Sequence, residues 1–551
     1  MSCVVFFTVN FKCVTTLLPT AVYTMSSRLK SKIINRFHIG GFTLRGEASR
    51  YLQELLESQD EDRQKTLLNG IVSWVQGQTL NSALIDKQTL IRCIKQLSDT
   101  DDEQKEKLFE VIDAFSIPSL TYHSERKKFL PREFVGLPKP RLFGNADSKA
   151  LLFQERYKLV HQRTIRHPLF SGADSLSREG TFTLRPVEHL LGTAGGDKKV
   201  VVLGMITQLT EGKYHLEDTS GSVEIDLSKA SFTGGLFTEN CFVLAEGQYD
   251  DGVFHVQTIG LPPAESGMST QKYFGSINFF GGTRDRSARL SAELRHAEEM
   301  HQDAMLVFIS DLWLDQHKVF EKLRVLFAGY SMMPPTCFVL CGNFLSRPTG
   351  RNDSLVLKEC ISKLASLIGE FPSLTEKSYF VFVPGPADPG LPNILPRPGL
   401  PRVIMDEFCR QVPQTVAASN PCRIRYGTQE IVVFREDALA KACRNAVHLP
   451  WEQESTVDLP KLYTKTLASN SHLVPLPLAV SPVYWDWDFA LWLNPLPDVV
   501  VCADKHDSYA IHHSECLFFN PGSFPRSDFS FKVYLPASKT LEDSQISEEP
   551  S

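Results

Sequence analysis

Apolar residues recur every three or four positions from residue 28 to about residue 115, which is the period of an amphipathic helix. Leu52, Leu55 and Leu56 form one stripe, Leu67, Leu68, Ile71, Val72 and Val75 a second, and Leu90, Ile91, Ile94 and Leu97 a third. Ser and Asp residues, with Gly70 and Gly77, supply breaks and caps, so the spacing predicts a helical bundle over 25–115. The bundle carries no catalytic constellation; its expected use is to present a surface to another protein, the plainer alternative being a structural cap. Residues 116–147 then break the period with Pro118, Pro131, Pro138 and Pro140 and the basic run Arg126-Lys127-Lys128, and read as a linker. Such a run is ordinarily a solvated stretch, with nuclear import or a phosphate contact as the alternatives.

A helix follows over 148–163, with Leu151, Leu152, Tyr157, Leu159 and Val160 as its apolar set. Between 181 and 261 the period shortens to two. Five strands are predicted there, at 200–204, 214–218, 222–227, 241–245 and 253–256, with Thr219-Ser220-Gly221 as a tight turn. That spacing fits a small OB-type barrel, placing a helix plus barrel over 148–265. From about 266 to 537 fully apolar strands (305–309, 337–340, 379–383, 432–434, 499–502 and 517–519) alternate with amphipathic stretches such as 317–327 and 355–368, the mark of sheets buried on both faces. The polar, acidic end, 538–551, is expected to be disordered.

Composition narrows the functions. The 551 residues carry a net charge of −6, too little positive charge for a chain that sheathes DNA along its length. Residues 198–260 hold Lys198, Lys199, Lys213 and Lys229 against nine carboxylates, a balance that favours protein docking over single-strand binding by the barrel. The 12 cysteines include no CxxC and no zinc spacing, and read as reduced, mostly buried thiols. Residues 1–24 are apolar but lack a basic n-region and are interrupted by Asn10 and Lys12, so they read as an extension, the folded chain starting near Met25. No later segment reaches the roughly 20 continuous apolar residues of a membrane helix.

In α/β sheets chemistry lies beyond the carboxyl ends of strands. Those ends read Ser310-Asp311-Leu312-Trp313, Gly342-Asn343-Phe344, Pro384-Gly385-Pro386-Ala387-Asp388, Ala503-Asp504-Lys505-His506 and Asn520-Pro521-Gly522-Ser523. Their order and spacing resemble the calcineurin-like metallophosphoesterases, whose working members place D-x-H, G-D-x-x-D, G-N-H-D/E and G-H-x-H at four strand ends. The resemblance implies ligands that this chain lacks. Asp311 is kept, but Trp313 stands where the first His belongs, and Asn343 and Ser346 stand for the two Asp residues of the second motif. Pro386 and Ala387 stand for the Asn and His of the third, and Asp504 replaces one His of the fourth, leaving His506 as the matched imidazole. A dinuclear centre needs a bridging carboxylate and several imidazoles. No metal or other cofactor is therefore expected, and Asp311, Asp504 and His506 are expected to be hydrogen-bonded structural residues.

A helical N-terminal bundle, an OB-type barrel and an inactive calcineurin-like phosphoesterase α/β sandwich, in this order, make a multidomain α+β chain similar to the B-subunits of the replicative DNA polymerases alpha, delta and epsilon. Phe153-Gln154-Glu155-Arg156-Tyr157, running on to Gln162-Arg163 and Phe170, resembles the epsilon branch. The resemblance covers about 25–536. It implies a non-catalytic accessory subunit whose barrel and sandwich grip the C-terminal region of the catalytic polymerase subunit. Two small histone-fold subunits of the same holoenzyme, and the GINS component of the replicative helicase reached by the bundle, are further implied partners, in the nucleus, with DNA contacted weakly or indirectly and no membrane. Phe232, Phe237 and Trp487 are candidate interface anchors, the commoner place for each being the core. Three alternatives stay open: a metal-dependent phosphoesterase with shifted ligands, a single-strand-binding module acting through the barrel, and a scaffold outside replication.

Overall fold

The helical period of the first hundred residues is realised in the computed structural model, which describes residues 20–39, 41–57, 84–91, 107–170, 182–192, 199–347, 352–389, 391–449 and 457–546, with 64, 67–72, 75, 93 and 350 besides. The chain divides into two units, 1–107 and 108–551. In the first, helix α1 (Thr20–Ile39) packs on α2 (Gly46–Glu57), and Ile33, Phe37, Leu52, Leu56, Ile71, Val72, Val75 and Leu90 close one core. Helix α1 begins at Thr20, five residues before the expected start at Met25. Gly70, expected as a break, lies within a helical stretch; Gly77, Ile94 and Leu97 lie outside the described residues. Strands β1 (Thr43–Leu44) and β2 (Leu84–Ile85) pair in parallel, each too short to show a period in sequence.

Two boundaries differ from the sequence reading. Residues 109–113 fall within the 25–115 expected for the bundle. They form strand β3 (Phe109–Asp113), antiparallel to β17 (Cys422–Tyr426), because Arg425 offers Glu110 a buried charge partner across the pair. The expected linker is ordered as well. Strands β4 (Leu120–His123) and β5 (Lys128–Pro131) form a hairpin whose Tyr122 and Phe129 are buried. Phe129 packs edge-on against Phe274 and Phe279, with ring centroids 4.9 and 5.0 Å away. Proline misled here because Pro131 closes a strand, where no backbone donor is needed.

Helix α3 (Ala146–Arg166) starts where the Asn145 side chain accepts from the Ser148 N–H at 3.0 Å, an N-cap, and ends on Arg163 and Arg166, which suit the negative end of the helix dipole. Its Val160 joins Leu203, Met205 and Phe242 of the barrel in one cluster. The barrel contains the five expected strands as β7 (Val200–Thr210), β8 (Lys213–Glu217), β9 (Ser222–Asp226), β11 (Phe242–Asp250) and β12 (Val253–Gly260). Two short strands, β6 (Leu184–Arg185) and β10 (Ser231–Thr233), were not anticipated. The order is β10-β12-β11-β7-β8-β9, and β12 also pairs with β9, which closes the barrel.

The remainder is a sandwich of two six-stranded sheets. One runs β16 (Thr415–Ala417), β15 (Tyr379–Val383), β14 (Cys337–Cys341), β13 (Leu306–Ile309), β22 (Ser530–Leu535), β23 (Thr540–Gln545). The other runs β20 (Tyr509–His513), β21 (Cys516–Asn520), β19 (Val499–Ala503), β18 (Gln429–Arg435), β17, β3. Phe308, Val339, Val381, Ile424, Val433, Val501 and Phe519 fill the space between them. The outer faces are covered by helices His317–Tyr330, Asp353–Gly369 and Arg402–Gln411 on the first sheet, and Ala438–Arg444 and Leu459–Asn470 on the second. The acidic tail is not wholly irregular as expected: Thr540–Gln545 pairs with β22, and Asp543 reaches the buried Lys532; residues 547–551 lie outside the described residues. Among the described residues the cysteines are free thiols, mostly buried, Cys409 being exposed.

Barrel and sandwich are joined through buried polar contacts. Arg156 of α3 donates to both oxygens of Asp488, at 2.9 and 2.5 Å, with both side chains buried. His472 Nε2 and Trp492 Nε1 approach the same carboxylate at 3.3 and 3.0 Å. Arg163 of the same helix donates to the Ala468 and Ser469 carbonyls and to the Ser471 hydroxyl. The Phe242 N–H of β11 donates to Asn470 Oδ1 at 2.7 Å. Asp488→Ala strands the Arg156 charge, a loss of about 3 to 5 kcal/mol expected for a broken buried pair. Urea denaturation of the full chain, followed by tryptophan fluorescence, is expected to show a midpoint shifted down accordingly, whereas removing the exposed Arg324–Glu370 pair changes it by about 1 kcal/mol or less.

Candidate functional site

Four parallel strands, β13, β14, β18 and β19, deliver their carboxyl ends to one place between the sheets, and the side chain at its centre is an arginine. Arg435, the last residue of β18, is fully buried. Its Nη2 donates to Asp311 Oδ1 at 2.7 Å and its Nη1 to Asp437 Oδ1 at 2.9 Å. Its Nε donates to the Gly342 carbonyl and Nη1 also reaches the Ala503 carbonyl at 3.3 Å. The guanidinium thus touches the ends of β13, β14 and β19. Burial alone would lower its pKa, but Asp311 and Asp437 together raise it above the ordinary value, so the charge is permanent.

Around this centre the expected positions sort into two groups. Asp311, in the left-handed region at φ 54°, accepts the Asn343 N–H at 3.3 Å, and Asn343 Oδ1 accepts the Ala387 N–H at 2.8 Å, so the first three strand ends meet. Asp504 caps the Ala438–Arg444 helix instead: its Oδ2 accepts the Leu439 N–H, and its Oδ1 accepts the His506 N–H, both at 3.0 Å. The other positions point elsewhere. Trp313 stacks under Arg526 at 5.0 Å, Ser346 bonds to the exposed Asp315 at 2.9 and 2.7 Å, and the His506 ring nitrogen Nδ1 is 3.1 Å from the Asp507 carbonyl. Pro386 lies on the half-buried turn before Ala387.

Three further residues support this arrangement: Asp388 and Asn520, which lie in the strand-end segments read from sequence without a role of their own, and Asn420, for which the sequence reading has no place. Asp388 Oδ1 accepts the Phe344 N–H at 2.7 Å and Oδ2 the Gly385 N–H at 2.6 Å. Burial pushes its carboxyl up to about 6, backbone donors and Arg435 pulling the other way. This tight packing demands glycine at 342, where a Cβ would fall 2.0 Å from the Asp388 carboxylate. Asn420 ties strand ends together, accepting the Arg435 N–H at 3.0 Å and donating to the Pro384 carbonyl at 2.9 Å. Asn520 does the same on β21, accepting the Asp504 N–H at 3.0 Å and donating to the His506 carbonyl at 2.8 Å. Arg435 had a signal in sequence: Arg435-Glu436-Asp437 directly follows the apolar Ile431-Val432-Val433-Phe434.

The donor set does not fit a pair of metal cations. Among the described residues no group of three or more His, Cys, Asp or Glu side chains could hold one. The carboxylate that would have to ligate, Asp311, is already spanned by a guanidinium, whose fixed charge opposes a dication beside it. The arrangement neutralises its carboxylates and locks the strand ends.

The barrel face was the second candidate. Lys213 Nζ lies 2.9 Å from Glu224 and Lys199 Nζ 4.0 Å from Glu246, which leaves the exposed surface of Glu211, Asp250 and Asp251 negative. The candidate anchors are packed inward. Phe237 is buried in the barrel core, Phe232 stacks on His448 at 4.3 Å, and Trp487 meets Phe115 edge-on at 5.0 Å. Phe237 is a core residue, while Phe232 and Trp487 are half-buried and pack against the cores beneath them.

Sequence comparison adds three family matches: residues 25–97 to DNA polymerases epsilon N terminal, 146–263 to the DNA polymerase epsilon subunit 2-like OB-fold domain, and 306–511 to the B-subunit family of DNA polymerases alpha and epsilon. The chain is 50% identical to human DNA polymerase epsilon subunit 2, over 94% of this chain and 99% of that protein. It is 49% identical to the Bos taurus protein of the same name over the same shares, and 38% identical to that of Drosophila melanogaster over 95% of this chain and 98% of that one.

Arg435→Ala is expected to destabilise the chain by about 3 to 5 kcal/mol in chemical denaturation, because Asp311 is left buried without a counter-charge, whereas the half-buried Asp437 keeps Lys505 at 3.3 Å. Arg435→Lys should restore only part of this, since an ammonium lacks the planar fork that spans two carboxylates. Asp388 gives a pH signature. A carboxyl that ionises near 3.8 when exposed and near 6 here keeps its proton in the folded chain between those values. Its contribution is complete below about 3.8 and lost as pH rises through about 6. Plotted against pH, the stability of the natural chain minus that of Asp388→Asn should fall across this window; a flat difference refutes the assignment.

Proposed function

The chain belongs to the DNA polymerase epsilon subunit 2 family, and from this we propose that it serves as a non-catalytic accessory subunit of the DNA polymerase epsilon holoenzyme, a platform on which the catalytic subunit is held. In this reading barrel and sandwich together bind the C-terminal region of the catalytic subunit. The helical unit at the start of the chain reaches the GINS component of the replicative helicase, and the two small histone-fold subunits complete the assembly in the nucleus. The observation that carries the non-catalytic part is Arg435. A buried guanidinium bonded to Asp311, Asp437 and two strand-end carbonyls stands where a phosphoesterase would need cations. An arginine so held has no proton to give and no open position for water or phosphate.

The platform part is supported by rigidity and charge. The Arg156–Asp488 pair and the contacts of Arg163 fix barrel to sandwich, so a partner lying across both meets a preformed surface and loses little to reordering. The negative barrel face suits a basic protein segment. Among the described residues no helix is long and apolar enough to cross a membrane. A single-strand-binding role for the barrel is disfavoured by its nine carboxylates against four lysines.

Two measurements test the proposal. Metal analysis and phosphodiesterase assay under added manganese are expected to give no stoichiometric metal and no difference between the natural chain and the Asp311→Ala, His506→Ala double variant. Metal-dependent turnover that disappears in that variant would make the chain an enzyme. Co-expression with the C-terminal region of the catalytic subunit is expected to give a complex stable to gel filtration; failure to co-elute removes the platform.

A further inference from the structure

Helix α3 covers only part of the barrel face on which it lies. Residues paired directly across strands share a face, and the register puts Phe242 of β11, Met205 of β7, Glu217 of β8 and Ser222 of β9 in one row. The row changes from apolar to acidic and polar along its length. Phe153, Tyr157 and Val160 of α3 pack against its apolar end. Beyond that contact a cleft of about 420 Å³ lies between the helix and the β8–β9 turn. Ala150, Gln154, Thr219 and Ser220 on its rim are exposed, so it opens to solvent.

The helix side of the cleft is aromatic and the strand side acidic. Phe153 and Tyr157 are half-buried, and the Tyr157 ring is held by stacking on His161, with centroids 5.3 Å apart, and by Phe242 at 6.1 Å. The strand side supplies the neighbouring carboxylates Glu217 and Asp218. Asp218 is pinned by the turn: its Oδ1 accepts the Ser220 N–H at 2.7 Å and the Gly221 N–H at 3.1 Å, and its Oδ2 accepts the Val187 N–H at 2.9 Å. Burial, and then the Asp218 charge, push the Glu217 carboxyl above its ordinary value, with Thr207 and His215 opposing. Among the described residues that line the cleft, none is a lysine or arginine to balance the two acids. Two carboxylates are too few for a metal ion, and the described residues gather no group of three that could hold one. A phosphate would be repelled. The group that satisfies both sides is a guanidinium, which is flat enough to lie on ring faces and donates paired N–H bonds to a carboxylate.

We propose that this cleft receives a single arginine side chain presented by a basic segment of a partner protein, its guanidinium donating to Glu217 in the field of Asp218 and lying against the rings of Phe153 and Tyr157. The site rests on the reading of the barrel as a protein-docking surface; because it can be tested without the catalytic subunit, the platform reading can stand where this site fails.

The test uses the full chain, isotope-labelled at its methionine methyl groups, and a short peptide of Gly and Ser carrying one arginine. Matched peptides carry lysine or citrulline, the neutral isostere, in its place. Met205 lines the cleft, and Met332, 92% exposed on the sandwich, reports diffuse attraction to an acidic protein. In NMR titrations the arginine peptide is expected to shift the Met205 methyl saturably and leave Met332 unmoved. The citrulline peptide should bind at least about tenfold more weakly. Glu217→Gln should weaken the arginine peptide by about tenfold. Phe153→Leu, which keeps an apolar side chain but removes the ring face, should weaken it about severalfold. Glu217→Gln takes away one of two neighbouring like charges, so its denaturation midpoint is not expected to fall, and the remote methionine signals should stay in place in both variants. No saturable shift at Met205, equal shifts at Met205 and Met332, a citrulline or lysine peptide that binds as tightly as the arginine one, or full binding by Glu217→Gln overturns the proposal.

Discussion

A carboxylate buried without partners would cost more than a chain of this size has to spare, and Asp488 is buried in the joint between barrel and sandwich. It is tolerated because partners converge on it from separate places in the sequence. Arg156 on α3 supplies two bonds, and Trp492 and His472 approach the same two oxygens. Burial works to raise the Asp488 carboxyl, but Arg156 and His472 hold it well below the usual carboxylate range. Burial, with Arg156 nearby, keeps His472 low in turn. The energetic weight of such a cluster lies in what happens if one member is missing. That makes the relative placement of α3, the Leu459–Asn470 helix region and the 3-10 turn Trp485–Leu491 a single condition.

The same logic governs the strand ends. A parallel sheet directs its carboxyl ends, with their unsatisfied backbone groups, to one region, and something there has to supply donors. In this chain a tethered cation does it. Arg435 brings donors in a fixed fork, satisfies carbonyls from two strands and neutralises two carboxylates at once. Unlike a pair of dications it cannot dissociate, bind phosphate oxygens or generate hydroxide. The strand ends acquire rigidity, and the fold is kept without an open centre.

How much of this was legible follows from the length scale of each signal. The barrel strands and the buried sandwich strands are long enough to show their period, and Asp311, Asn343 and Ala387 do meet as their spacing implied. What escaped was set by partners distant in sequence. Residues 109–113 read as the end of the helical bundle because Arg425, more than three hundred residues away, is what buries Glu110. The prolines around 118–140 read as a linker because nothing local shows that Tyr122 and Phe129 will meet Phe274 and Phe279. Arg435 was adjacent to a correctly drawn strand, but a single arginine at a strand end has no period, and its role depends on Asp311, which lies 124 positions away. Phe237 and Phe232, read from sequence as core residues more often than interface anchors, could not be assigned to either, since exposure is a property of the whole fold.

The distribution of charge then acquires a meaning that net charge conceals. Opposite signs are segregated: the barrel presents carboxylates whose nearest lysines are partly spent in pairs with Glu224 and Glu246, while the hairpin and the first turns of α3 present exposed lysines and arginines. Both surfaces are anchored to the same sandwich through α3, Arg141 and the Asp486–Asp488 turn. Fields of opposite sign on one rigid body steer opposite partners, and they repel a partner that arrives at the wrong face.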